Sequence, residues 1–184
     1  MIGLSSLEEV ERLYATRAAL NYGEGVTQLE HAVQCAALAK AQGAAPSLVA
    51  AALLHDIGHL FETEENATAR DDRHEIAGAQ ALKSLFGESV RGPIALHVAA
   101  KRYLCFTEAD YFQALSPASQ ASLMLQGGAF DSAQAATFAR LPYCREAVAL
   151  RRFDDMGKRE ELSGSAFADF APLLRSLLLD GAKL

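Results

Sequence analysis

The sequence predicts an all-α fold, and three observations predict it. Capping residues open, and glycines close, a series of stretches with helical apolar spacing. Alternating strand patterns are nearly absent. The most hydrophobic run, SLVAAALLHDIGHL, is apolar on nearly every side, which marks a central buried helix.

The elements follow in order. The stretch SSLEEVERLYATRAAL sets Ser6 three residues before Glu9, a capping-box spacing, with Leu7, Val10, Leu13 and Tyr14 at helical intervals. TQLEHAVQCAALAKAQG repeats the device with Thr27 and Glu30 and stops at Gly43. Pro46 stands where a first helical turn tolerates it and opens the buried third helix, which runs to His55. Further helices are expected at about 74–86, 93–103, 107–114 opened by Thr107, 117–126 opened by Pro117, 131–140, 143–156 and 165–180, about nine or ten in all. Two segments resist a helical reading: NYGEGV, with Gly23 and Gly25 flanking Glu24, and the polar FETEENATARDDR. Such loops beside a helical scaffold are where sites tend to be assembled.

At 184 residues, 51% hydrophobic and 22% charged, the chain reads as one folded domain over 1–184. A net charge of -6 with no Lys/Arg cluster argues against a nucleic-acid or anionic-membrane partner, though a few local cations would suffice for a small anion. Cys35, Cys105 and Cys144 are odd in number and form no C-x-x-C pair, so they read as small buried residues rather than a disulfide framework. The N-terminus lacks a signal-peptide pattern and no apolar run approaches spanning length, so a cytoplasmic protein is expected. Oligomeric state is not legible.

All five histidines, at 31, 55, 59, 74 and 97, fall in the first 97 residues. A lone histidine on an apolar helix is usually a satisfied core residue, but five together with Asp56 suggest convergence on metal. His55 and His59 are i,i+4 neighbours expected on one helix face. Imidazole with carboxylate suits iron, zinc or manganese, and a carboxylate can bridge two ions. A cation also explains how Asp56 is buried without an uncompensated charge.

The series His31, His55-Asp56 and an aspartate in RRFDDMGK resembles the HD-domain superfamily of metal-dependent phosphohydrolases, and His74 and His97 resemble additions of its binuclear branch. NYGEGVTQLEH, LLHDIGHL, the lone His74, LHVAAKRYL and LRRFDDMGK, in that order, resemble the HD-domain mixed-valent diiron oxygenases of organophosphonate breakdown over nearly the whole chain. The resemblance implies a single HD-domain helical bundle with two irons, Fe(II)/Fe(III), and O2 as co-substrate. It implies one iron on His31, His55, bridging Asp56 and Asp154, and the other on Asp56, His74 and His97. Asp154 is preferred to Asp155 because the family's aspartate stands four residues before a lysine, here Lys158; Asp155 is the alternative. His59, Lys101, Ser119 and Arg151 match phosphonate contacts. Tyr22 and Glu24 match a lid, with Tyr22 capping the second iron and Glu24 holding the substrate's cationic end.

The implied reaction is cleavage of the carbon–phosphorus bond of a 1-hydroxyphosphonate. The spacing of Tyr22 and Glu24 favours (1-hydroxy-2-(trimethylamino)ethyl)phosphonate, giving glycine betaine and phosphate, over the 2-amino analogue, giving glycine and phosphate. The alternative is an HD phosphohydrolase acting on a nucleotide or phosphomonoester through a metal-activated water, a reading that leaves His74, His97 and the tyrosine loop without a role.

Overall fold

The computed structural model describes residues 3–17, 26–61, 73–158 and 164–183. Among these residues there are ten α-helices and no strand, only isolated bridges pairing Ser6 with Lys183 and Phe86 with Leu178. The first is α1, Leu7–Arg17. Ser6 Oγ accepts from the Glu9 amide at 3.2 Å, while the Glu9 carboxylate turns back to Ser5 rather than Ser6. In α2, Gln28–Ala41, the capping box is complete: Thr27 and Glu30 each receive the other's amide, and Gly43 follows with a left-handed φ of 71°.

Helix α3, Pro46–Leu54, has every residue from Leu48 to Leu54 buried. It ends one residue before His55, and a 3₁₀ turn, Ile57–Phe61, follows. His55 and His59 therefore do not share a helix face as expected. The tighter winding instead turns His59 toward the next element, α4, His74–Ala81.

The next helix, α5, is Glu88–Thr107 and starts five residues before the helix expected at about 93–103. Val90, Gly92, Pro93 and Ile94 are all buried, so packing outweighs the hydrogen bond that proline cannot make. Thr107 closes α5 instead of opening a helix, its hydroxyl donating back to the Tyr103 carbonyl at 3.1 Å. The remaining helices are α6, Tyr111–Ala114; α7, Pro117–Leu125, capped by Ser116; α8, Ser132–Phe138, capped by Asp131; α9, Cys144–Met156; and α10, Ala171–Ser176. The helix expected at 165–180 is a 3₁₀ turn, Phe167–Phe170, followed by α10, which restarts with Pro172 in its first turn.

One large core joins α1 to α4, the first half of α5, α9 and α10 around the buried α3. Tyr14 of α1 donates its buried hydroxyl to the Leu53 carbonyl at 2.9 Å and so ties α1 to the end of α3. Helices α2, α3, α5 and α9 pack mutually around that end. No helix among the described residues is long and apolar enough to cross a membrane.

Candidate metal centre

His31 projects from the first turn of α2, His55 and Asp56 lie in the turn between α3 and the 3₁₀ segment, His74 begins α4, His97 lies in α5 and Asp154 in α9. Six side chains from five elements thus meet at one buried point. Asp56 is at its centre, and its two oxygens face different partners. Oδ2 lies 3.6 Å from His31 Nε2 and 3.3 Å from His55 Nε2. Oδ1 lies 3.5 Å from His74 Nε2 and 3.6 Å from His97 Nε2. Within each pair the Nε2 atoms are 3.2 Å apart. Asp154 closes the first side, with Oδ1 at 3.4 Å from His31 Nε2 and Oδ2 at 3.9 Å from His55 Nε2.

Carbonyls fix the rings. His31 Nδ1 is 3.0 Å from the Gly157 oxygen, His55 Nδ1 2.9 Å from Ala52 and His97 Nδ1 2.8 Å from Ile94. A carbonyl only accepts, so each Nδ1 carries the proton and, in the neutral ring, each Nε2 turns its lone pair to the centre. Lone pairs converging at 3.2 Å repel unless an electrophile lies among them. Asp56 Oδ2 and Asp154 Oδ1, both buried, have no hydrogen-bond partner, although buried carboxylate oxygens normally do. Donor chemistry and orphaned atoms together fit one cation on each side of Asp56.

Burial by itself would raise the Asp56 carboxyl pKa, yet His55, then His59 and His74, hold it well below the ordinary carboxylate range. Burial likewise opposes ionisation of Asp154, and Arg151 and Lys158 overcome it. Burial, with the neighbouring His74 and His55, pushes His97 well below its ordinary value, so it stays a neutral ligand-type imidazole. Cys35 Sγ lies 3.7 Å from His31 and within ligand distance of both His31 and His55. Burial and the two aspartates keep its thiol protonated, and it donates to the Phe153 carbonyl at 3.4 Å.

Asp155, the alternative to Asp154, turns the other way: Arg151 and the Tyr111 hydroxyl bind it in short contacts. Arg151 also donates to Asp154 Oδ2 at 2.7 Å and to Ser119 Oγ at 3.3 Å. Lys158 Nζ reaches Ser119 Oγ at 2.8 Å and lies 3.7 Å from Asp154 Oδ1. Lys101, buried one turn after His97, donates to Ser122 Oγ at 2.7 Å; burial, reinforced by Arg151, lowers its pKa to about 8. The buried Lys101, Arg151 and Ser119 and the half-buried Lys158 thus form a cationic cluster beside the first side of the centre.

His59 stacks on His74 with ring centroids 3.8 Å apart. Tyr103 packs on Phe138, with ring centroids 4.9 Å apart. Tyr22 and Glu24 lie outside the described residues. Sequence reasoning missed Lys158 as a contact, the Ser122 partner of Lys101 and the Gly157 carbonyl. Lys158 alone carried a signal, four residues after Asp154 on the same strip.

The sequence matches the HD domain family over residues 29–115, a segment holding His31, His55, Asp56, His74 and His97. It is 52% identical over 141 residues to the hydroxymethylphosphonate dioxygenase of Gimesia maris, covering 74% of this chain and 70% of that protein. It is 40% identical over 160 residues, 85% of this chain and 81% of the other, to the [1-hydroxy-2-(trimethylamino)ethyl]phosphonate dioxygenase (glycine-betaine-forming) of Leisingera caerulea. An uncharacterised protein of Acanthamoeba polyphaga mimivirus is 32% identical over 161 residues, 84% of this chain and 74% of that one. Identity at this level over more than two thirds of each relative means that the chain belongs to the HD-domain family of phosphonate dioxygenases.

Proposed function

We propose that this protein is a diiron dioxygenase that cleaves the carbon–phosphorus bond of a 1-hydroxyphosphonate. The observation that carries the reading is Asp56, buried with one oxygen toward His31 and His55 and the other toward His74 and His97, beside the buried Lys101 and Arg151 and the half-buried Lys158. A two-metal hydrolase of phosphate esters would use the same ligand set; what favours the oxygenase is that the relatives with assigned activities are named dioxygenases. The two relatives named as dioxygenases share a hydroxyl on the carbon that bears phosphorus.

One iron would be held by His31, His55, Asp56 and Asp154, and the other by Asp56, His74 and His97. When bound, the pair supplies O2 activation and a Lewis-acid hold on the substrate's hydroxyl and phosphonate oxygens. The chain's own groups do the rest. Arg151, Lys101 and His59 surround the phosphonate dianion, and charge-assisted donors of this kind fix both its position and its charge. Ser119 Oγ accepts from Arg151 and Lys158, which leaves its proton to donate to the anion. The Gly157, Ala52 and Ile94 carbonyls hold the imidazoles in one tautomer through turnover. The roles of Tyr22 and Glu24 rest on the family resemblance alone, since both lie outside the described residues.

The atoms balance without an external reductant. (1-Hydroxy-2-(trimethylamino)ethyl)phosphonate and O2 give glycine betaine, hydrogen phosphate and a proton; C1 passes from a carbinol to a carboxylate while O2 is reduced by four electrons. The 2-amino analogue gives glycine by the same equation, and hydroxymethylphosphonate gives formate.

Anaerobic loading with Fe(II), partial oxidation and EPR, followed by assay of O2 uptake and phosphate release from these three compounds, tests the reading. A coupled Fe(II)/Fe(III) signal and equimolar O2 uptake and phosphate release are expected, with the trimethylammonium compound used at least about tenfold better in kcat/KM than the primary amine. Phosphatase activity without O2 uptake would overturn the oxygenase reading. A preference for the primary amine or for hydroxymethylphosphonate would overturn only the choice of substrate.

A further inference from the structure

Two glycines touch the metal centre without being ligands. Gly58 stands two residues after Asp56 in the 3₁₀ turn, against the backbone of His74. A Cβ on Gly58 would overlap the His74 carbonyl oxygen, with the carbonyl carbon at 2.7 Å and Cα at 2.8 Å. These are backbone atoms, so no rotamer change relieves the overlap. Gly78, one turn into α4, meets the same turn from the other side: its Cβ would lie 3.0 Å from Ile57 Cγ2 and 3.2 Å from the Gly58 nitrogen. Gly157 ends α9 against Cys35, where a Cβ would overlap Sγ and lie 3.2 Å from the Cys35 nitrogen. Cys35 is one turn after His31 on α2, and the Gly157 carbonyl accepts from His31 Nδ1 at 3.0 Å.

None of the three glycines needs a left-handed φ. Their requirement is for space, at places where one ligand-bearing element touches another. The Gly58 contact sets the distance of His74 from Asp56, and the Gly157 contact sets the distance of His31 from Asp154.

We propose that Gly58 and Gly157 are positioning residues, each registering one of the two metal positions: Gly58 the position of His74 and His97, Gly157 the position of His31, His55 and Asp154. The proposal rests on the binuclear reading of the centre. A methyl group at Gly58 pushes His74 away from Asp56 and leaves the first ligand set alone. A methyl group at Gly157 displaces the carbonyl that orients His31 and leaves His74 alone. The nearest obstacle at Gly157 is the Cys35 sulfur, with the Cys35 nitrogen and the Phe153 oxygen farther off at 3.2 Å, so shortening Cys35 removes the worst overlap; because the obstacle at Gly58 is backbone, no side-chain change does.

The test is anaerobic Fe(II) titration of apoprotein against a competing chelator, with thermal melts of the apo forms, on wild type, Gly58→Ala, Gly157→Ala, Cys35→Ala and the Cys35→Ala/Gly157→Ala double variant. Wild type is expected to bind two irons. Gly58→Ala should retain one and bind the other at least tenfold more weakly, in the same pattern as His74→Ala. Gly157→Ala should match His31→Ala, and the double variant should regain the second iron. Where Gly58→Ala fails to fold, the milder Gly78→Ala carries the same expectation. Equal weakening of both irons in step with a lower apo melting temperature would reveal a merely structural role and overturn the proposal. So would two unperturbed irons in Gly58→Ala, or failure of the double variant to recover. Fewer than two irons in wild type would instead overturn the binuclear reading itself.

Discussion

Asp56 concentrates the residue-scale argument, because a single carboxylate faces two pairs of imidazoles and neither of its oxygens could be buried so without compensation. The sequence already carried five histidines and Asp56; what it could not carry was the division of Oδ1 from Oδ2, which depends on where α4 and α5 meet the end of α3. Asp154 and Asp155 are a sharper case. Adjacent residues on a helix point about 100° apart, so one faces the imidazoles and the other faces Arg151 and Tyr111. The choice rested on the spacing to Lys158, and geometry gives that spacing a reason, since Lys158 lies 3.7 Å from Asp154 Oδ1. Lys101 yields a pH prediction. Burial favours its neutral amine, so the cation that attracts a phosphonate is lost as pH rises through about 8. In the metal-loaded enzyme, kcat/KM should fall about tenfold per pH unit above that value, and Lys101→Arg, charged throughout, should remove the limb. A pH–rate profile of both proteins measures it.

At the scale of elements, cap signals located helices well and side-chain packing moved their ends. Thr27 and Glu30 form the complete capping box that their spacing predicts. Removing it by Thr27→Ala should cost α2 about 1 kcal/mol, read as a lower denaturant midpoint with an unchanged slope. Because Thr27 lies four residues before His31, the same variant should weaken iron binding only through that loss of stability. The start expected near 93 is five residues late: proline is disfavoured inside a helix, yet buried Val90 and Ile94 hold α5 together around Pro93. Thr107 misled because a threonine hydroxyl that caps a helix start also bonds back to the preceding turn. The end of α3 escaped sequence reading for a related reason. Nothing in HDIGH marks a change from α to 3₁₀ winding; the contact of Gly58 with His74 imposes it from outside the segment.

For the whole molecule, the centre is where five elements join, so metal content and stability are coupled. Cations that bind the folded chain alone stabilise it by about 2.7 kcal/mol when free metal is a hundredfold above Kd. At about 2–4 °C per kcal/mol for a chain of this size, chelation should lower the melting temperature by on the order of 5–10 °C for each ion lost. Calorimetry of the loaded and chelated protein, with recovery on adding Fe(II), measures the effect; equal melting temperatures would mean that the folded chain does not hold the metal. One feature of α9 extends this coupling to the substrate. Asp154 gives one oxygen to the imidazoles and the other to Arg151, which also reaches Ser119. On the proposed function, ion and anion act on each other through one side chain, and such cooperativity is mutual: the factor by which metal tightens anion binding is the factor by which the anion tightens metal binding. An enzyme built this way is most resistant to losing its metal while substrate or phosphate occupies it, and most vulnerable to scavengers when idle.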